Sequence, residues 1–225
     1  MKNNWVYLSY LLQPALTGYG DGERVKIHRL RRMAQGDTSN NSALEFPSHY
    51  GTHIDFPNHF VLDGSTIEAY AASYFVHTCV EVVDISAQFG DQLIGPEHFS
   101  GHKLNPKTTF LIIRTGLGAE REDARYWREN PGIAPELAAY LREQLPELRT
   151  LGMDTISLSG YQNRPIGRVA HKAFLEEHAI TLVEDMDLSA LGSAARINQL
   201  LIAPLRFEQA DGSPVTILAQ IEHED

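Results

Sequence analysis

Short apolar runs, none long enough for an interior helix, constrain this chain more than any other feature. The runs at 6–12, 79–85, 110–114, 182–184, 200–205 and 215–221 read as buried strands. Segments 25–30 and 43–48 alternate more loosely and read as strands with one wet face. Only two helices are well marked. Pro135 stands where a first-turn proline belongs, and Leu137, Leu141 and Leu145 follow at spacings of four. The second helix covers about 168–178, with His171, Phe174, Leu175 and His178 on its apolar stripe. Strands come first, then helices mixed with strands, then strands again. That order is not a regular βαβ alternation, so a doubly wound sheet is not expected; the reading is a β-rich α/β protein. Gly18-Tyr19-Gly20-Asp21-Gly22 and 35–42 are loops by composition, and no linker or charge block divides residues 1–225. A single domain is expected.

The chain carries 19 basic and 29 acidic residues, a net charge of −10. Nucleic acid and anionic membranes both select for a basic face, so neither is an expected partner. The single cysteine, Cys79, cannot form a disulfide within the chain and reads as a small buried hydrophobe. No run approaches the ~20 apolar residues that span a bilayer, and the N-terminus lacks a signal-peptide core. A cytoplasmic location is expected.

The chemistry concentrates in residues 49–59, which hold His49, His53, Asp55 and His59. A helix there is disfavoured by Gly51, β-branched Thr52 and Ile54, and Pro57. On an extended path His53, Asp55 and His59 share a parity, and Gly51 supplies a bend that brings His49 round to them. Pro57 marks a strand end opening into a pocket. Imidazole and carboxylate together suit zinc, manganese or iron, and Asp55 is the member able to bridge two ions. Such a cation lowers the pKa of coordinated water toward ~7. His59, the most displaced of the set, is the choice for general acid/base.

Residues 49–59 match His-x-Gly-Thr-His-x-Asp-x-Pro-x-His at every fixed place. This resembles the signature of the cyclase family of metal-dependent hydrolases, which includes bacterial kynurenine formamidase and isatin hydrolase. The likeness continues through 110–116, through Gly152-Met153-Asp154-Thr155-Ile156-Ser157, and through 167–187 and 203–220. The resemblance implies a swivelling β/β/α fold, commonly dimeric or tetrameric. It implies His49, His53 and Asp55 as metal ligands and His59 as general acid/base. A late-helix histidine and a glutamate about twelve residues on would complete the site. Here those are His171 and Glu184, thirteen apart, with His178 the alternative histidine. Glu184 ends an apolar strand, where a buried carboxylate needs a partner or a metal.

The implied activity is hydrolysis of an amide, lactam or ester in a small molecule, with one or two divalent ions, zinc first and manganese second. A cyclase or dehydratase on the same site, or a metal-binding protein without turnover, is the alternative. Formamidases of the family carry a tryptophan-proline-glycine-aspartate segment where this chain has Tyr19-Gly20-Asp21-Gly22. Tyr19, Phe46 and Phe56 are candidate substrate contacts, with Tyr161 and Phe207 behind them. His28, His77, His98, His102 and His223 read as surface or core, Glu177, Asp185 and Asp187 as solvated or supporting, and the 222–225 tail as solvated. There is no Gly-x-Ser-x-Gly elbow.

Overall fold

The run 110–114 shows how the layers arise. Leu111 and Ile113 point to one side, where they pack under helices, while Phe110 and Ile112 point to the other, against antiparallel strands. With both faces covered, the segment is apolar without alternation. This geometry comes from a computed structural model of the chain, which describes residues 4–85, 90, 92–192 and 195–222.

In chain order the strands are β1 (Asn4–Tyr7), β2 (Lys26–Arg31), β3 (Asn41–Glu45), β4 (His53–Asp55), β5 (Val76–His77), β6 (Val80–Asp84) and β7 (Leu93–Ile94). They continue with β8 (Phe110–Arg114), β9 (Gly132–Ile133), β10 (Thr150–Met153), β11 (Thr181–Glu184), β12 (Arg196–Pro204) and β13 (Gly212–Glu222). The helices are α1 (Arg125–Arg128), α2 (Glu136–Gln144) and α3 (Arg164–Lys172), the last running on into a π-helical turn over Ala173–Glu177.

The main sheet is ordered β5-β12-β13-β4-β11-β10-β8-β6, with β1 also paired to β13. β6, β8, β10 and β11 are parallel neighbours, and β4, β13, β12 and β5 follow antiparallel. β5 and β6 lie at opposite ends of this order yet are nearly consecutive in the chain, so the sheet curls almost closed. Helices α2 and α3 cover the parallel half through Leu137, Leu141, Leu145, Ala170 and Phe174. The result is a β-rich α/β fold without doubly wound topology.

Segments 25–30 and 43–48 depart from expectation. As β2 and β3 they pair in a hairpin whose residues are exposed on both faces, apart from half-buried Ile27. Among the described residues no sheet covers them, so neither face is dry. Among the described residues no helix is long and apolar enough to cross a membrane.

Among the described residues, His77 is the histidine locked into the core apart from His49, His53, His59 and His171. It is fully buried, with Nδ1 3.1 Å from Thr109 Oγ1 and within 3.2 Å of an Arg149 guanidinium nitrogen. Burial, reinforced by Arg149, pushes its pKa down to about 3. Below the ordinary value of about 6.5 the unfolded chain therefore binds a proton that the native state refuses. Stability should fall by up to ~1.4 kcal/mol per pH unit from this residue as pH drops from about 6.5 toward about 3. Urea unfolding of wild type and His77→Gln across pH 4–7 checks this; parallel profiles would exclude it.

Candidate metal centre

Strand β4 places its side chains by register. It lies between β11 and β13, with His53 opposite Glu184 and Pro214, and Asp55 opposite Leu182 and Gly212. Directly opposed residues share a face, so His53, Asp55 and Glu184 point together toward the α3 side. His171, on the buried face of α3, meets them from above, and all four are buried. The glycine Gly167 lets α3 approach this closely, since a Cβ there would stand 2.0 Å from Ser159 Oγ.

The two buried imidazoles are oriented alike. His53 Nδ1 donates to the Gly51 carbonyl at 2.8 Å, and His171 Nδ1 donates to the Gly167 carbonyl at 2.8 Å. Each therefore aims its Nε2 inward, where a cation could replace the proton. His53 Nε2 lies 3.4 Å from both Asp55 Oδ1 and Glu184 Oε2. His171 Nε2 lies 3.3 Å from Glu184 Oε1 and 3.6 Å from Asp55 Oδ2. Ligands bonded at about 2.1 Å to one tetrahedral ion stand about 3.4 Å apart, so this spacing fits a cation. Asp55 Oδ2 adds a second indication: it is buried and has no hydrogen-bond partner. The Leu158 N–H and the Ser157 hydroxyl hold Glu184 Oε1 at 2.7 and 3.2 Å.

His49 arrives as Gly51 turns the chain, with φ +65°. Its Nδ1 is 2.8 Å from Asp55 Oδ1 and its Nε2 is 2.9 Å from Asp211 Oδ2. His59 stacks on His49 with ring centroids 3.7 Å apart, and its Nδ1 is 3.4 Å from the same Asp211 oxygen. Two donor groups thus share Asp55: His49–Asp55–His59, and His53–Asp55–Glu184.

Charges couple tightly here. Burial opposes the imidazolium of His49, yet Asp55 and Asp211 on either side hold its pKa up at about 10. Burial likewise opposes His171, but Asp55 and Glu184 raise it to about 9. Burial and Asp55 work against an ionised Glu184, while His171 and His53 bring it down to about 2. Burial also penalises a charged Asp55, whose pKa His49, His171 and His53 nevertheless depress far below the usual carboxylate range. The site is an anion-rich cage poised to exchange protons for a cation.

A cavity of about 270 Å³ opens onto these groups, lined by Tyr19, Phe60, Ile156 and Ser159 beside the histidines. A larger groove of about 460 Å³ runs past Cys79, Glu81 and Arg114. None of the clusters able to hold a metal among the described residues lies in that groove, so the chemistry belongs to the smaller cavity.

The family model for cyclases matches residues 6–159, about two-thirds of the chain. The chain belongs to the cyclase family. Isatin hydrolase A from Labrenzia aggregata, bound to benzyl benzoate, superposes with TM-score 0.81 and 23% identity, covering 97% of this chain and 93% of that one. Isatin hydrolase A from Ralstonia solanacearum gives TM-score 0.77 at 24% identity, covering 98% and 92%. A protein described as a predicted metal-dependent hydrolase from Bacillus stearothermophilus gives 0.74 at 18%, covering 98% and 99%. At such identities the likeness speaks for the fold, which these structures share with this cyclase-family chain. His171, Glu184 and Asp211 lie beyond the matched segment.

His49, His53, Asp55, His59, His171 and Glu184 come together, and Tyr19 lines the cavity. Phe56 does not. It follows Ile54 in parity onto the opposite face of β4 and is fully buried against Tyr70 and Phe75. Phe46 packs beside Leu16, Val25 and Tyr50 rather than lining the cavity. His178 sits half-buried past the π-helical turn, its carbonyl held by Arg142. That turn falls between His171 and Glu184. Asp187 is half-buried and Glu177 exposed, whereas Asp185 is buried, not solvated. His28 and His102 are exposed, and His223 lies outside the described residues.

Asp211 went unrecognised in the sequence because it belongs to no motif. The glycine after it is set by packing, since a Cβ at Gly212 would stand 2.2 Å from the His49 ring.

Asp185 follows Glu184 in a left-handed conformation, φ +56°, held by a clamp. Arg121 binds both its oxygens, at 2.8 and 2.7 Å, and Tyr126 donates to it at 2.9 Å. Its carbonyl accepts the Thr52 hydroxyl at 2.5 Å, which ties β4 to the end of β11. Arg121→Met leaves the Asp185 carboxylate buried without its cation and should cost about 3–5 kcal/mol by urea unfolding. The double variant Arg121→Met/Asp185→Asn should recover part of the loss. A single variant within ~1 kcal/mol of wild type would refute the clamp's role.

Proposed function

We propose that this chain is a metal-dependent hydrolase that cleaves an amide, lactam or ester bond of a small molecule. The observation that carries the reading is Asp55: a buried carboxylate among three imidazoles, one oxygen unpartnered, shared between two donor groups. His53, Asp55, His171 and Glu184 would hold one divalent cation, and His49 and Asp55 a second where two are bound. Imidazole with carboxylate favours zinc, then manganese. A cation held there supplies Lewis acidity, acidifying water and polarising the carbonyl under attack.

The chain's own groups do the rest. Asp211 faces Nδ1 of His59, which keeps the proton on that nitrogen and leaves Nε2 basic. His59 Nε2 takes a proton as the water oxygen bonds to the carbonyl carbon. It returns that proton to the departing nitrogen or oxygen as the old bond breaks. Phe60 stacks on His171, with centroids 4.2 Å apart, and screens that side of the site from bulk water. The cavity's size suits a small molecule, and we extend the family expectation of a homodimer or homotetramer to this chain.

Elemental analysis of protein purified without added metal should find one or two equivalents of divalent ion. Turnover of aryl formamides, lactams and esters in ¹⁸O-water should place one label in each product acid. Turnover without label would replace hydrolysis by the cyclase or dehydratase reading; binding of metal without any turnover would leave only a metal-binding protein.

A further inference from the structure

One arginine beside the cavity has no carboxylate partner among the described residues, although the chain carries a net charge of −10. Arg164 opens α3, exposed to solvent, with its guanidinium carbon 4.2 Å from the Tyr161 ring centroid and 5.6 Å from that of Tyr19. Tyr19 and Tyr161 meet edge to face at 5.6 Å, and Trp127 backs Tyr161 at 5.0 Å. The platform beneath the cation is therefore fixed by packing rather than by an ion pair. The Tyr19 hydroxyl is buried, Tyr19 lines the cavity, and Arg164 is a polar neighbour of that hydroxyl.

Position ties this platform to the metal centre. Arg164 and His171 are seven residues apart on one helix, hence on one face and roughly 10 Å apart along the axis. The stacked guanidinium meets no carboxylate among the described residues and, beyond what it turns to Tyr19, keeps donors for a planar anion. His171 and Arg164 thus stand at two ends of one helix face, and Tyr19, which carries the Arg164 guanidinium over its ring, lines the cavity at the metal centre.

We propose that the substrate carries a carboxylate, held by Arg164 at the edge of the cavity, about two helical turns from the scissile carbonyl. This rests on the hydrolase reading and narrows its substrate class to acids with an apolar or aromatic body between the two polar ends. The probes are 4-formamidophenylpropanoate and its neutral propanamide, which differ only in charge at the far end. Calorimetric titration into metal-loaded protein should show the acid binding roughly 10- to 100-fold more tightly than the amide. Arg164→Met should bring that ratio toward one, and Arg164→Lys should keep part of it. Equal binding of the two probes to wild type, or a preference that survives Arg164→Met, overturns the inference. Hydrolysis is read separately: a charge-dependent binding preference with no formate released from either probe upholds the anion site and counts against the hydrolase reading alone.

Discussion

Asp55→Asn should yield a folded protein that no longer retains a divalent ion and turns over no faster than background. Asparagine matches aspartate in size, so β4 keeps its place between β11 and β13, and the loss isolates the charge. Asp55 faces His49, His53 and His171 at once and has one oxygen with no other partner. No neighbouring carboxylate can replace it in both donor groups, because Glu184 reaches only one of them. Elemental analysis, circular dichroism and turnover on one preparation make the test complete. Stoichiometric metal together with near-normal turnover in Asp55→Asn would remove the foundation of the proposed function.

His59→Ala should behave differently, retaining metal while kcat falls by about 10²- to 10⁴-fold. His59 lies at the cavity rather than beneath it, is partly exposed, and touches Asp211 and the His49 ring instead of the buried cage. Removing it leaves the four buried donors untouched. Near-normal turnover would end the acid/base assignment. Loss of metal in this variant would instead make His59 a ligand of the second donor group, the other role its proximity to His49 and Asp55 allows.

Much of the site was legible because its elements are local. Residues 49–59 carry their own bend at Gly51 and their own strand, and the buried strand end at Glu184 announced a carboxylate in need of a partner. The parity argument held for His53 and Asp55, which lie on β4, and failed for His59, because Pro57–His59 is a 3₁₀ turn and no longer extended. Applied one residue further it would also have sent Phe56 to the opposite face with Ile54, where the structure places it. What could not be read was non-local or irregular. Asp211 enters from a turn 156 residues after Asp55. The π-helical turn that displaces His178 has no sequence signature comparable to a glycine or proline. The exposure of β2 and β3 depends on the lack of a packing neighbour, which no pattern within those segments encodes.

The burial of β4 between β11 and β13 carries a consequence for biosynthesis. The histidine-rich segment leaves the ribosome long before its flanking strands, since β11 begins 126 residues after Asp55 and β13 follows later still. Until then the nascent chain offers loose imidazoles with little hold on an ion, so a metal would be taken up by the folded site rather than by the segment alone.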